Sequence, residues 1–417
     1  MKDKVWDLVV VGGGPAGLTA ALYGARSRLS TLVLEKGRAG GQAATTTEIE
    51  NYPGVRRITG PELMDRIADH ARDFGADFVK DDGLEYDLEP LVKSIKGKKG
   101  TYRARAVILA PGAEPRVLGV RGERQFRGKG VSYCATCDAD FYTGLDVVVV
   151  GSGDAALEEA MFLAKFARKV SIIVVHEEGV LDATGVIQER AVAHERLEFI
   201  WNSVLEEIRG EGLVEEVVIK NLKTGELSVL STSGVFFFVG TVPRTSNLGG
   251  QVELDDRGYI ITGEHLQTSV PGVFAAGDAR VKFLRQVVTA CSDGAEAAVA
   301  AERYLAEEES FHRNVLESEA PVAVAFWSPA VDASLALLPV VEKATAHGGS
   351  KFRLYKIDTY RHQQAAGRYR VEEVPELLVF AGGKVVARFN AAQLAGADPG
   401  ELAATVLAAV AMEDQRT

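Results

Sequence analysis

The sequence predicts an α/β protein of several domains built on parallel βαβ units, and three observations carry that expectation. Apolar strand-like runs and helical stretches alternate from residue 7 to about residue 306. Two glycine fingerprints, at residues 12–17 and 151–156, each follow an apolar run and open a helical one. A polar, acidic stretch at residues 306–319 then separates this array from a fresh strand beginning at Pro321. With 417 residues, 47% of them hydrophobic, the chain is long enough to bury cores for two or three domains.

Composition narrows the function classes. The formal net charge of −11 argues against a sequence-independent nucleic-acid binder, which needs a basic face to displace counterions from phosphates. Met1-Lys2-Asp3-Lys4 runs straight into a short apolar strand with no leader-like apolar region, and no apolar run approaches the roughly 20 residues that span a bilayer. The expectation is a cytoplasmic protein with no membrane partner. Of three cysteines, two form Cys134-Ala135-Thr136-Cys137, a spacing that signals a redox pair or half a metal site. No second such pair or His pair completes a zinc set, so the redox reading is favoured and no metal is expected.

Taken in order, the strand at residues 8–11 enters Gly12-Gly13-Gly14-Pro15-Ala16-Gly17 and a helical stretch from Leu18. Gly12, Gly14 and Gly17 fit G-x-G-x-x-G, with Pro15 and Ala16 between them, so the first helical amides face a pyrophosphate. A second strand, residues 31–34, ends at Glu35, placed to accept from an adenosine ribose. The Cys134/Cys137 pair follows; two intervening residues let the sulfurs meet across one turn, and a helix start lowers a thiol's pKa toward the reactive thiolate. Asp138, next to the pair, is placed to exchange the proton that thiol chemistry requires. The strand at residues 147–150 enters Gly151-Ser152-Gly153-Asp154-Ala155-Ala156, a G-x-G-x-x-A opening a helix. The next strand, residues 170–175, runs into His176-Glu177-Glu178. Cys291, among small residues with no partner at ligand spacing, reads as a small buried hydrophobe.

Beyond Pro321 the pattern is strand 322–326, helix 331–346, strand 352–358, a turn of helix near Gln363, strands 376–380 and 384–390, and helix 401–412, with Gly382-Gly383 as a two-residue hairpin signal.

These segments together resemble a known family. The run Tyr133-Cys134-Ala135-Thr136-Cys137-Asp138 is similar to the active-site segment of low-molecular-weight thioredoxin reductases, and the likeness covers roughly residues 5–305. It implies two Rossmann-like dinucleotide-binding domains, one inserted in the other. The segment 271–278, ending in Gly277-Asp278, resembles the second FAD motif of that family; Gly40-Gly41-Gln42 and the loop 48–54, from Glu48 through Asn51, resemble its isoalloxazine-side loop; Arg285-Gln286 matches the pair that touches the flavin ring. By the same likeness Cys137 faces the flavin, Cys134 attacks the partner's disulfide and Asp138 is the acid/base. The implied cofactors are FAD and NADPH or NADH, the latter bound by Gly151, Gly153, Asp154, Ala155 and Ala156. NADPH users in the family hold the 2′-phosphate with basic residues where this chain has Val175 and His176, followed by two glutamates, which favours NADH.

The C-terminal segment resembles a thioredoxin fold, with Phe326-Trp327-Ser328-Pro329 matching the approach to the active site, Pro339 the helix kink and Val374-Pro375 the cis-proline loop. Val331 and Ser334 stand where its cysteines would be, so this domain carries no dithiol. The expected layout is residues 1–115 (FAD domain, first part), 116–243 (inserted nicotinamide domain with the cysteine pair), 244–306 (FAD domain, second part), 307–319 (linker) and 320–417 (thioredoxin-like domain), with hinges at residues 113–116 and 241–244. The expected function is an FAD-dependent reductase, acting as a homodimer on the disulfide of a separate thioredoxin or thioredoxin-like protein. Alternatives are a ferredoxin-dependent reductase, a reductase of a peroxiredoxin or small disulfide, a disulfide-forming oxidase, and a non-enzymatic flavin redox sensor.

Overall fold

The computed structural model describes residues 4–46, 49–359 and 363–414. By its internal contacts the chain divides into two compact units, residues 1–302 and 303–417.

In the first unit, β1 (Val5–Val11), α1 (Pro15–Arg26), β2 (Thr31–Glu35), α2 (Gly60–Asp73), β3 (Asp77–Lys80), β4 (Glu85–Asp87), β5 (Lys93–Lys96) and β6 (Thr101–Leu109) form most of one layer system. The sheet order is β3-β2-β1-β6-β5-β4, with the later strand β17 (Val273–Ala275) parallel to β6. Parallel pairing of β1 with both β2 and β6 sets their carboxyl ends side by side, where open α/β sheets bind ligands. Alternation along β1 separates the layers: Val10 and Leu8 meet α1 at Gly17 and Gly24, while Val9 and Val11 join a cluster with Leu248, Val252 and Ile260.

The chain leaves this sheet along β7 (Ala113–Pro115) and returns along β16 (Thr241–Pro243); the two pair antiparallel, so the crossings lie side by side at the residues expected as hinges. Between them lie β8 (Val131–Ser132), α3 (Ala135–Asp138), β9 (Asp146–Val150), α4 (Asp154–Leu163), β10 (Lys169–Ile173), α5 (Gly185–Val192), β11 (Leu197–Ile200), β12 (Ser203–Arg209), β13 (Glu216–Asn221), β14 (Leu227–Ser231) and β15 (Gly234–Phe237). A parallel sheet, β11-β10-β9-β15-β8, is covered on one face by α3, α4 and α5 through Val147 and Val149. Its other face meets the antiparallel sheet β12-β13-β14 through Val148 and Val150. Continuous valine in β9 reflects burial on both faces.

The boundary between units falls within α6 (Val287–Phe311). The stretch expected as a linker is therefore largely helical: α6 ends at Phe311 and a π-helical turn follows at His312–Leu316. Phe311 and Val315, four apart on one face, are buried in the second unit's core; of the acidic residues that suggested a linker, Glu307 and Glu309 are exposed and Glu308 is half-buried, accepting from Arg368 Nη2 at 2.7 Å.

The second unit contains β18 (Val322–Trp327), α7 (Asp332–Gly348), β19 (Arg353–Asp358), α8 (Gln363–Arg368), β20 (Glu376–Ala381), β21 (Lys384–Phe389), α9 (Ala391–Leu394) and α10 (Pro399–Asp414). The strand order β19-β18-β20-β21 has β18 parallel to β19 and antiparallel to β20. Helices α7 and α10 pack on one face through Leu337, Val341, Leu402 and Val406. Gly382 and Gly383 both have positive φ (54° and 76°), as a two-residue hairpin requires. Pro339 lies inside α7 and the Val374–Pro375 peptide is cis. The architecture is the expected thioredoxin-like one.

Candidate active site

The first fingerprint is shaped by close backbone approach. Gly12 has φ 102°, and a Cβ there would lie 2.2 Å from the Ala110 carbonyl oxygen; one on Gly17 would lie 1.8 Å from that of Gly12. Only glycine permits this path, and it brings Gly14, the residue capping α1, and Pro15 to the edge of the sheet with no acidic side chain in the helix's first turn. Glu35 is already engaged: Gly13 N donates to its Oε2 at 2.7 Å and Gly37 N to its Oε1 at 2.8 Å.

The second flavin segment packs on the first, since Gly277 lies against Ala16. Among the described residues Asp278 holds a buried Oδ1 with no partner, and Arg285 a buried Nε with none, while its guanidinium stacks 4.4 Å over Tyr259. Burial pushes the Asp278 carboxyl above its ordinary pKa, against the pull of Lys282 and Arg285. An orphaned acceptor, an orphaned cationic donor and two glycine cradles fit a flavin dinucleotide. Asp293, which no local pattern marks, anchors this turn. Its Oδ2 accepts from Gly277 N (2.9 Å), Arg280 Nε (2.8 Å) and Lys282 Nζ (2.8 Å), and Arg280 Nη2 donates to Oδ1 at 2.8 Å. These bonds and charges hold the Asp293 carboxyl below the usual range despite burial.

Cys134 and Cys137 are joined as a disulfide across α3, with Cys134 as its capping residue. Gln286 reaches this turn: its Nε2 donates to Thr136 Oγ1 at 3.1 Å and lies 3.9 Å from Cys134 Sγ, while its Oε1 accepts from Asn51 Nδ2 at 3.1 Å. Gln42 Oε1 accepts from Arg127 Nη2 at 3.1 Å, and that guanidinium stacks on Tyr133, the residue before Cys134. The structure thus brings Asn51, Gln286 and the dithiol together, with Gln42 tied to the segment leading into it; Gly41 begins the short helical turn that carries Gln42. Glu48 lies outside the described residues. Asp138 is largely desolvated, which raises its pKa, and Ser132 Oγ donates to its Oδ2 at 2.6 Å. Glu123, fully buried, accepts from Tyr133 OH at 2.7 Å and from the amides of residues 118–120. Ser132 and Glu123 are missed by motif reading, because neither belongs to the Cys-x-x-Cys pattern.

In the second fingerprint Gly151 has φ 137° and Gly153 caps α4. Asp154 Oδ1 accepts from Thr184 N at 2.6 Å, Ala155 is exposed and Ala156 is fully buried against the sheet. Strand β10 ends at Ile173, earlier than expected, leaving Val175 and His176 on the following loop. There His176 Nε2 lies 2.9 Å from Asp182 Oδ2, which also accepts from Ser152 Oγ at 2.5 Å, and Glu177 pairs with Lys223 at 3.0 Å. Cys291 is partly buried, its thiol pushed up by burial, with Sγ 3.9 Å from the Pro15 carbonyl. Among the described residues no cluster of three or more His, Cys, Asp or Glu is placed to hold a metal, and no helix is long and apolar enough to cross a membrane.

Known proteins share this arrangement. Residues 6–294 match the family described as pyridine nucleotide-disulphide oxidoreductase, and residues 303–406 match thioredoxin. The thioredoxin reductase of Peptoclostridium acidaminophilum is 53% identical over 310 residues, 73% of this chain and 98% of that protein. The bifunctional thioredoxin reductase/thioredoxin of Mycobacterium leprae is 37% identical across 94% of each chain. The crystal structure of the thioredoxin reductase of Streptococcus pyogenes superposes with a TM-score of 0.69 at 42% identity, covering 73% of this chain and 99% of that one. The chain therefore belongs to the pyridine nucleotide-disulphide oxidoreductases, whose members use FAD and a pyridine nucleotide. Within that family it is a flavin-dependent disulfide reductase of the thioredoxin reductase type, with a thioredoxin-like domain fused at its C-terminus.

Proposed function

We propose that this reductase takes electrons from NADH and delivers them through Cys134 to the disulfide of a separate thioredoxin-like protein, working as a homodimer in the cytoplasm. The observation that carries the reading is the dithiol turn set between Gln286 of the flavin half and the buried Asp138. Gly12, Gly14, Pro15, Ala16 and Gly17 would hold the flavin's pyrophosphate, Glu35 would orient its ribose end, and Asp278 and Arg285 would meet its polar groups with their unpartnered atoms. FAD, when bound, supplies two-electron transfer between nicotinamide and disulfide.

The chain's own chemistry follows from the thiols. Reduced Cys134, as thiolate, attacks one sulfur of the partner's disulfide, forming a mixed disulfide and expelling a partner thiolate that takes a proton. Cys137 then attacks Cys134 Sγ, freeing the second partner sulfur and closing the Cys134–Cys137 disulfide. Asp138, whose carboxyl burial raises above its ordinary pKa against the pull of the Ser132 hydrogen bond, donates to the leaving sulfur and accepts from the attacking one.

NADH is favoured over NADPH because a 2′-phosphate at the end of β10 would meet Glu177, Glu178 and Asp182. The nearby side chains of His176 and Lys223 are already paired with two of those carboxylates. Anaerobic reduction of the purified flavoprotein, followed by flavin absorbance, tests this. We expect NADH to exceed NADPH in kcat/KM by about tenfold or more, the scale of one repelled or unpaired charge. Faster reduction by NADPH would overturn the donor assignment, and reduction by ferredoxin alone would overturn the nicotinamide reading.

A further inference from the structure

We infer that Ser132 is a positioning residue whose single hydroxyl proton couples the ionisation of Asp138 to the backbone of Cys134, a role that rests on Asp138 being the acid/base group. Ser132 ends β8 and is 5% exposed. Its Oγ accepts from Cys134 N at 3.1 Å, and lies 2.6 Å from Asp138 Oδ2 and 3.3 Å from the Cys134 carbonyl oxygen. A hydroxyl has one proton to give. Both oxygens therefore compete for it, and the ionised carboxylate wins at the shorter distance, where charge-assisted bonds are strongest.

Protonation of Asp138 reverses the arrangement. The carboxylic acid becomes the donor to Ser132 Oγ, and the serine proton turns to the Cys134 carbonyl. One proton on Asp138 thus changes the hydrogen bonds on the residue whose sulfur exchanges. Other groups around the carboxyl do not substitute for Ser132. Tyr142, on the turn after α3, is pushed up to about 12 by burial and by the Asp138 charge, so it stays neutral. Glu159, on α4, faces the amides of Ala135 and Thr136 at the other end of the turn. Of the forces on Asp138, desolvation raises its pKa and the Ser132 bond opposes it.

The test uses the full-length protein reduced with excess dithiothreitol, freed of reductant, and alkylated with iodoacetamide across a pH series. This readout needs neither nicotinamide nor partner. In the wild type the rate profile should show a step from Asp138 in addition to thiol ionisation, and Asp138→Asn should remove it. Ser132→Ala should move that step up by about one pH unit, a tenfold change in the ionisation constant, as expected for losing one hydrogen bond to a charged group. Ser132→Thr, which keeps the hydroxyl, should return it toward the wild-type position. If Ser132→Ala fails to fold, Ser132→Gly, which also lacks the hydroxyl and adds no thiol, should give the same upward shift. A serine-variant profile that superimposes on the wild type, while Asp138→Asn lacks the step, overturns the Ser132 role alone. If Asp138→Asn itself superimposes on the wild type, the acid/base assignment fails and takes this inference with it.

Discussion

At Cys134 the residue preceding a helix is extended, with φ −147° and ψ 103°, and at Val331 the residue preceding another helix is nearly the same, with φ −120° and ψ 111°. Three residues on stand Cys137 in one case and Ser334 in the other, so two turns of one backbone type carry opposite chemistry. The first turn is ringed by polar side chains that bond to it and to one another: Ser132, Asp138 and Gln286. The second leaves the Ser334 hydroxyl and the Trp327 indole nitrogen buried without partners among the described residues. Helix α7 packs against β18 through Leu337, Val341, Ala323 and Ala325, and the turn ahead of it has this backbone form without sulfur. Unpartnered buried atoms occur in both units, at Asp278 and Arg285 as well as at Trp327 and Ser334. Their meaning comes from their neighbours, a glycine cradle in one case and a closed core in the other.

The sharpest way to break this comparison is to remove sulfur from the active turn. Cys137→Ser should lower thioredoxin-linked turnover by at least about a thousandfold, because members of such a unit fail together. It should also trap the partner on Cys134 as a mixed disulfide visible on a non-reducing gel. Retained turnover would mean that Cys134 and Cys137 do not act as a pair. The converse change is Val331→Cys with Ser334→Cys. If the two turns share a backbone, mild oxidation should close the new pair, leaving the free-thiol count equal to that of the wild type. Two extra titratable thiols would show that the turn near α7 differs where it matters.

Asp278 sharpens the comparison from the other side. Its raised folded-state pKa means that stability is fully present below the unfolded value near 3.9 and is lost as pH rises through the folded value. Above that folded value the flavin-free protein carries a destabilising charge at this position. Asp278→Asn should stabilise the apoprotein near pH 7 and weaken flavin affinity by about tenfold or more, the cost of one charge-assisted bond. Fluorescence titration with FAD and thermal melts at pH 4 and pH 7 read the two effects separately. Tighter flavin binding by the asparagine variant would refute the assignment of Asp278 to the cofactor.

Much of this was legible in the sequence where the physics is local. Glycine fingerprints declare themselves because Gly12 and Gly151 need positive φ beside a neighbouring backbone, and the Cys-x-x-Cys pair because one turn joins its sulfurs. The thioredoxin-like strands were readable from apolar runs and the Gly382-Gly383 hairpin. What stayed hidden depends on chain segments far apart in sequence. Asp293 reaches Gly277 across 16 positions, and Asn51 meets Gln286 across 235. Ser132 and Glu123 flank the dithiol without belonging to its motif. The acidic run at residues 307–309 marks a linker or a helix end in sequence, and only the packing of Phe311 and Val315 into the second unit's core shows how far the helix extends.

The smallest expected effect concerns Ser334, fully buried with no partner for its hydroxyl among the described residues. Leaving a hydroxyl unsatisfied in a core costs roughly 1–3 kcal/mol, whereas alanine loses only the oxygen's packing. Ser334→Ala should therefore stabilise the C-terminal unit by about 1 kcal/mol, raising its melting temperature by roughly 4–8 °C on the scaling for domains near this size. Reductase turnover should not change, since Ser334 belongs to the turn without sulfur. A neutral result would mean that a bound water satisfies the hydroxyl, and a loss of stability would mean that the serine is a packing requirement of the fold. Either would separate Ser334 from Asp278, whose removal is expected to trade stability against a ligand. A gain without functional loss would mark Ser334 as a residue the fold tolerates rather than uses.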